Sequence, residues 1–161
     1  VFLAKADAEW VNRSAEGSQI GWVRDRHTTL LPGITAIIAG GHFPGSMILH
    51  TASPNTKVPT LFHADTIMTV MDAHTPDSGR PGHISYTFMW SVPNMIPLGP
   101  EQVLQIWRAV KGFDVKATYG FTTVRYRKGD TKTIPERLLD SAWVFVKSIG
   151  HEGHAIFSET V

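Results

Sequence analysis

The chain has 161 residues, with 15 Lys plus Arg against 14 Asp plus Glu, for a formal net charge of +1. At 42% hydrophobic and 18% charged residues it has a folded globular composition, which excludes a disordered or fibrous polymer. A chain of this size buries roughly two-thirds of its unfolded surface. It has no cysteine, so disulfide frameworks, thiolate metal sites and cysteine nucleophiles are excluded.

In chain order, Val1 to Ala4 is a short apolar run of strand type, and Ala6 to Arg13 follows as a short helical turn. Asn12 to Gln19 is polar and loop-like, Trp22 to Leu31 mixes charged and apolar residues, and Leu31-Pro32-Gly33 is a turn signal. Ile34 to Ala39 is rich in β-branched residues and predicts a buried strand. It runs directly into Gly40-Gly41-His42-Phe43-Pro44-Gly45. Ser46 to Thr51 predicts the next strand, Ala52 to Pro59 a turn, and Thr60 to His63 a third strand ending at Ala64-Asp65-Thr66.

Ile67 to Met71 is expected as one helical turn capped by Asp65 or Thr66. His74 to His83 holds two prolines and two glycines and predicts an exposed loop. Tyr86, Phe88 and Trp90 alternate as a strand face would. Pro100 to Gly112 predicts a helix with Pro at its first position and Val103, Leu104, Ile106, Trp107 and Val110 on one side. Ile134 to Ile149 predicts a second, with Thr133 and Glu136 in capping-box spacing and Gly150 past its end. Val115 to Tyr119 and Thr122 to Tyr126 are candidate strands around Gly120. Strands first and helices interleaved afterwards predict a layered α/β or α+β domain spanning residues 1–161.

Two positions carry the candidate chemistry. His42 follows a hydrophobic strand inside a glycine-flanked turn, where a ring nitrogen can be presented to a metal. Asp65 follows another, where a carboxylate either binds a cation or caps the next turn. If Ser46–Thr51 and Thr60–His63 pair as a hairpin, the first and third strands run the same way. His42 and Asp65 then meet at one edge of the sheet, where active sites of α/β layers commonly lie.

The succession Leu31-Pro32-Gly33, Gly41-His42-Phe43-Pro44-Gly45 and Leu61-Phe62-His63-Ala64-Asp65-Thr66 resembles the metallo-β-lactamase superfamily, with its pG…GHtpGs…lf.GD order. The resemblance is strongest from Leu30 to Val70. It implies part of an αββα sandwich, the C-terminal portion, with His42 and Asp65 as ligands of one or two zinc ions. It implies a hydrolase whose metals activate water against a small-molecule substrate. His83 and Tyr86 are expected to border the substrate pocket, on loop placement. The family's upstream His-x-His-x-Asp-His run is absent from this chain, and Thr118-Tyr119-Gly120-Phe121 lacks the family's late histidine. An N-terminal companion polypeptide is therefore an expected partner. The competing expectation is a metal-free, degenerate domain acting as a binding or structural module, with a homodimer as its form.

The other polar groups have plainer readings. His63 is expected on the strand face opposite Asp65. His74 and His83 flank the Pro/Gly loop, and His151 and His154 follow a helix end. Arg125, Arg127, Lys128 and Lys132 are balanced by Asp130 and Glu136. The balanced charge disfavours nucleic-acid partners. The longest apolar run, Ile34 to Ala39, falls far short of the ~20 residues of a membrane span. The chain begins at Val1 without a leader pattern, so it is expected to start at a processed or cut end and to be cytoplasmic.

Overall fold

The computed structural model describes residues 1–11, 19–52, 58–75, 82–120, 122–127 and 130–161. It shows an α+β arrangement, a mixed six-stranded sheet with two helices packed on one face. In chain order the strands are β1 (Phe2–Ala4), β2 (Gly21–Val23), β3 (His27–Leu31), β4 (Ile34–Ile38), β5 (Met47–Thr51) and β6 (Thr60–Phe62). They continue as β7 (Met68–Thr69), β8 (Tyr86–Thr87), β9 (Met89–Ser91), β10 (Ile96–Pro97), β11 (Ala117–Tyr119) and β12 (Thr123–Arg125). The helices are α1 (Pro100–Val110) and α2 (Ile134–Ser148).

The main sheet has the order β12-β11-β6-β5-β4-β3. The β3–β4, β4–β5 and β5–β6 pairs are antiparallel, and β6–β11 is parallel. So β4 and β6 do run the same way, as the hairpin expectation requires. Alternation sorts the side chains between the two faces. Ile37, Ile48, Leu61 and Val124 point to the helices and are buried in one core with Val103, Ile106, Trp107, Leu138 and Val146.

The registers put Ala36 opposite Leu49, Leu49 opposite Phe62, and Phe62 opposite Tyr119, all on the other face. That face is apolar, and among the described residues no helix layer covers it. Phe62 and Tyr119 are exposed and pack ring against ring, centroids 5.6 Å apart. Beside them Phe2, Leu30, Met47, Leu49 and Phe62 line a shallow groove of about 340 Å³.

Both helices begin and end as their sequences dictate. In α1, Pro100 sits at the start and Gln102 accepts the Gly99 N–H at 2.8 Å. In α2, Glu136 accepts the Thr133 N–H at 2.7 Å while Thr133 accepts the Glu136 N–H at 3.4 Å, a reciprocal cap. Gly112 and Gly150 follow the helix ends with φ of 90° and 87°, a backbone state that glycine adopts without a Cβ clash.

The short helical turn expected from Ala6 forms as a 3-10 turn at residues 5–10. No helix forms over Ile67 to Met71; β7 stands there, paired with β8, and a 3-10 turn follows at Met71–His74. The mixed stretch before Leu31 contains β3, whose exposed and half-buried residues alternate at the sheet's edge. The expected loop over Asn12 to Gln19 up to residue 18, the turn at Pro54-Asn55, most of the Pro/Gly loop (76–81), Phe121 and Lys128 lie outside the described residues. No helix among the described residues is long and apolar enough to cross a membrane.

A candidate metal-ligand pair at the sheet edge

The turn that carries His42 is shaped by its glycines. Gly40 and Gly41 have φ of 68° and 85°, and a Cβ on Gly41 would meet Ile106 Cδ1 at 2.7 Å. The turn is therefore pressed onto α1, where a side chain at Gly41 has no room. Ser46 closes it, accepting the Phe43 N–H on Oγ at 2.9 Å and the Ala39 N–H on its carbonyl at 2.9 Å. The 3-10 turn at residues 5–10 holds its far side, where Asp7 Oδ1 accepts the Gly45 N–H at 2.9 Å. Phe43 packs edge-on against the His42 ring at 4.6 Å and against Trp10 at 5.7 Å.

This places His42 Nε2 at 3.9 Å from Asp65 Oδ2. The two residues follow parallel strands, β4 and β6, and so emerge at the same edge. His42 is largely covered, with its Nδ1 buried and without a hydrogen-bond partner among the described residues, while Asp65 is open to water. The neighbouring Thr66 hydroxyl donates to the Gly40 carbonyl at 3.4 Å, tying the two loops together. A tetrahedral zinc ion with ordinary Zn–N and Zn–O bonds holds two ligand atoms about 3.4 Å apart. The His42–Asp65 pair is near that spacing and suits two positions of one ion. Among the described residues no group of three or more histidines and carboxylates is placed to hold a metal, so the pair does not close a zinc site by itself.

Asp65 also lines a cavity of about 260 Å³ with His63, Ala64, Ile67, Met68 and Gly120. His63 does not lie on the face opposite Asp65: positions two apart share a face by strand alternation, and the two line this cavity together. The His63 side chain lies in the wall, buried, with Nε2 unpartnered and Nδ1 at 3.5 Å from the Ala64 carbonyl. Burial holds its pKa below the ordinary histidine value, outweighing the backbone hydrogen bonds. Gly120 makes room for it.

His83 and Tyr86 do not line this cavity. The His83 side chain is covered and stands 3.7 Å from Asp72 Oδ2. Tyr86 has no exposed surface; its hydroxyl shares a 3.0 Å hydrogen bond with Thr118 Oγ1, and burial pushes its phenol up to about 12. Its ring meets that of His63 edge-on at 6.4 Å. Buried Arg137 holds this region to α2 by donating to Ser85 Oγ at 2.8 Å and the Ala73 carbonyl at 2.7 Å. His154 bonds Glu101 at 2.9 Å and accepts the Ile156 N–H, a capping arrangement.

Comparison with known proteins adds one relative. No family model matches the chain, and no solved structure matches it. The chain is similar to the uncharacterized protein YmaE of Bacillus subtilis (strain 168), 27% identical over 153 residues. That alignment covers 94% of this chain and 50% of YmaE, so the chain spans about half the length of the curated relative it matches.

Proposed function

We propose that this chain is part of a metal-dependent hydrolase of metallo-β-lactamase type, in which His42 and Asp65 supply two of the metal ligands. The observation that carries the reading is their 3.9 Å approach at the ends of two parallel strands, in the motif order of that superfamily. Further ligands come from a companion stretch of polypeptide, either upstream in a longer protein or on a separate chain. YmaE is long enough to contain such a stretch, since this chain spans about half of it. The uncovered apolar row Leu49–Phe62–Tyr119 suits a second sheet, which would complete an αββα sandwich. A bound zinc would lower the pKa of a water and polarise a small-molecule substrate's reacting group. The protein contributes the fixed imidazole of His42, the open carboxylate of Asp65 and the adjoining cavity.

Zinc titration followed by metal analysis tests this reading. At its natural length the protein should retain stoichiometric zinc, and His42→Ala and Asp65→Ala should each weaken retention by more than about tenfold. Hydrolysis of a lactone, thioester and phosphodiester panel should fall with it. Zinc retention unchanged in His42→Ala contradicts the proposal.

A second reading rests on the lack of a third donor near the pair among the described residues. In it the domain is metal-free and serves as a binding module, with its apolar sheet face closing a homodimer. Sedimentation of the metal-free protein separates the two. A tight dimer that takes up no zinc favours the module.

A further inference from the structure

A second cavity lies against the turn that carries His42. Its volume is about 290 Å³, and it is lined by Arg24, Arg26, Ile38, Ala39, Gly40, Pro44 and Gln105. Both stems of the His42 turn, Ala39–Gly40 and Pro44, thus form its wall. Gln105 comes from α1, with Oε1 directed at the open side of Gly40, 4.0 Å from where a Cβ would stand. Arg24 follows β2, where the buried Val23 fixes the strand end. Arg26 is fixed through its backbone, its carbonyl accepting the Ile38 N–H at 2.8 Å.

Neither arginine forms a salt bridge or hydrogen bond through its guanidinium among the described residues, and no carboxylate lines the cavity. Asp25 stands between them in sequence but is not part of the lining. Two cations therefore face a small polar cavity without a counter-charge, in a chain whose formal net charge is only +1. Among the described residues Arg108 and Lys111 meet Glu159, Lys116 meets Asp114 and Lys147 meets Glu152, while exposed Arg125 shares with Arg24 and Arg26 the lack of an ion-pair partner.

We propose that Arg24, Arg26 and Gln105 form a subsite for a phosphoryl group. A phosphate monoester carries close to two negative charges at neutral pH, which two guanidiniums balance. Guanidinium forks pair phosphate oxygens in two-point contacts, and the Gln105 amide would donate to a third oxygen once turned to present Nε2 in place of the Oε1 that faces Gly40. Gly40 leaves its part of the wall without a side chain, which keeps room for an anion between the arginines and Gln105. Occupancy would brace the two stems of the His42 turn. Calling the anion a part of the substrate rests on the hydrolase reading; binding of the anion does not.

Titration of the metal-free chain with inorganic phosphate, followed by amide and arginine side-chain NMR, tests the subsite. Saturable shifts are expected at Arg24, Arg26, Gly40 and Gln105. Affinity should fall more than about tenfold in Arg24→Ala/Arg26→Ala and weaken with added salt. Both arginines are exposed, so the variant should keep its thermal midpoint. Binding should persist in His42→Ala, and that separates failure of the metal reading from failure of the subsite. Shifts that do not saturate, phosphate affinity unaltered by the double substitution, or acetate binding as tightly as phosphate would each overturn the assignment.

Discussion

A Cβ placed on Gly120 would stand 2.6 Å from Nδ1 of His63. The glycine on the loop after β11 and the histidine after β6 thus share one space beside Asp65. The family resemblance expects a histidine near Gly120. In this chain the imidazole in that space comes from the adjoining parallel strand. Neither residue's sequence surroundings announces the contact, because it depends on the β6–β11 pairing.

Gly120→Ala should therefore be costly. Overpacking of this kind destabilises by about 1–3 kcal/mol, read as a lower urea midpoint. In the His63→Ala background the same substitution should cost much less, because the obstructing ring is gone. Equal costs in both backgrounds would show that the two residues are not in contact.

The Asp7–Gly45 hydrogen bond should control how firmly the His42 turn is held. Asp7→Ala leaves the part-buried Gly45 N–H without its acceptor, a loss of about 1 kcal/mol. Hydrogen exchange at Gly45 should quicken by roughly fivefold, since 1 kcal/mol is about that factor. Exchange at Ile37, inside β4, should stay unchanged. Unaltered exchange at Gly45 would mean that Ser46 alone closes the turn.

Glu159 should give the chain an acid-sensitive hold on its C-terminus. Its carboxylate accepts from Lys111 Nζ at 2.9 Å, Arg108 Nε at 2.8 Å and Trp107 Nε1 at 3.2 Å. The Lys111 hydrogen bond foremost, with Arg108, holds its pKa below the ordinary 4.5. A depressed carboxylate pKa contributes stability that is present above the unfolded value. That contribution disappears as pH falls through the folded one. The thermal midpoint should drop on acidification below about pH 4.5, and Glu159→Gln should flatten that part of the profile. An unchanged acid limb in the variant would assign the effect to other carboxylates.

Tyr86 makes the opposite prediction at high pH. Burial raises its phenol to about 12, so the folded state keeps a proton that the unfolded chain releases near the ordinary 10. Its contribution is complete below that value and is lost as pH rises towards 12. In ultraviolet titration one of the three tyrosines should ionise late or only on unfolding, and Tyr86→Phe should remove that step. The variant should also lose about 1–2 kcal/mol, because Thr118 Oγ1 is left buried without its partner. A titration curve unchanged by the substitution would place the late phenol elsewhere.

The sequence alone determined what depends on near neighbours. Periodicity and caps marked α1 and α2 within two residues of their ends, because helical hydrogen bonds and capping boxes join positions three or four apart. The β-branched run of β4 and the glycines after it located the His42 turn. The hairpin logic brought Asp65 to the same edge, because two antiparallel pairings in succession return the chain to its starting direction. Local pattern failed where a segment is short or serves a distant partner. β7 reads as a helical turn until β8 pairs with it, and the space beside Gly120 that His63 fills depends on the β6–β11 pairing.

Only the tertiary structure decided which polar groups share a space: His63 with Gly120 and Asp65, Tyr86 with Thr118, Arg24 and Arg26 with Gln105. Each joins segments far apart in the chain, and such contacts are fixed by strand register and helix packing, which composition and spacing do not encode. The sequence placed His42 and Asp65 at one edge; folding set the 3.9 Å between them.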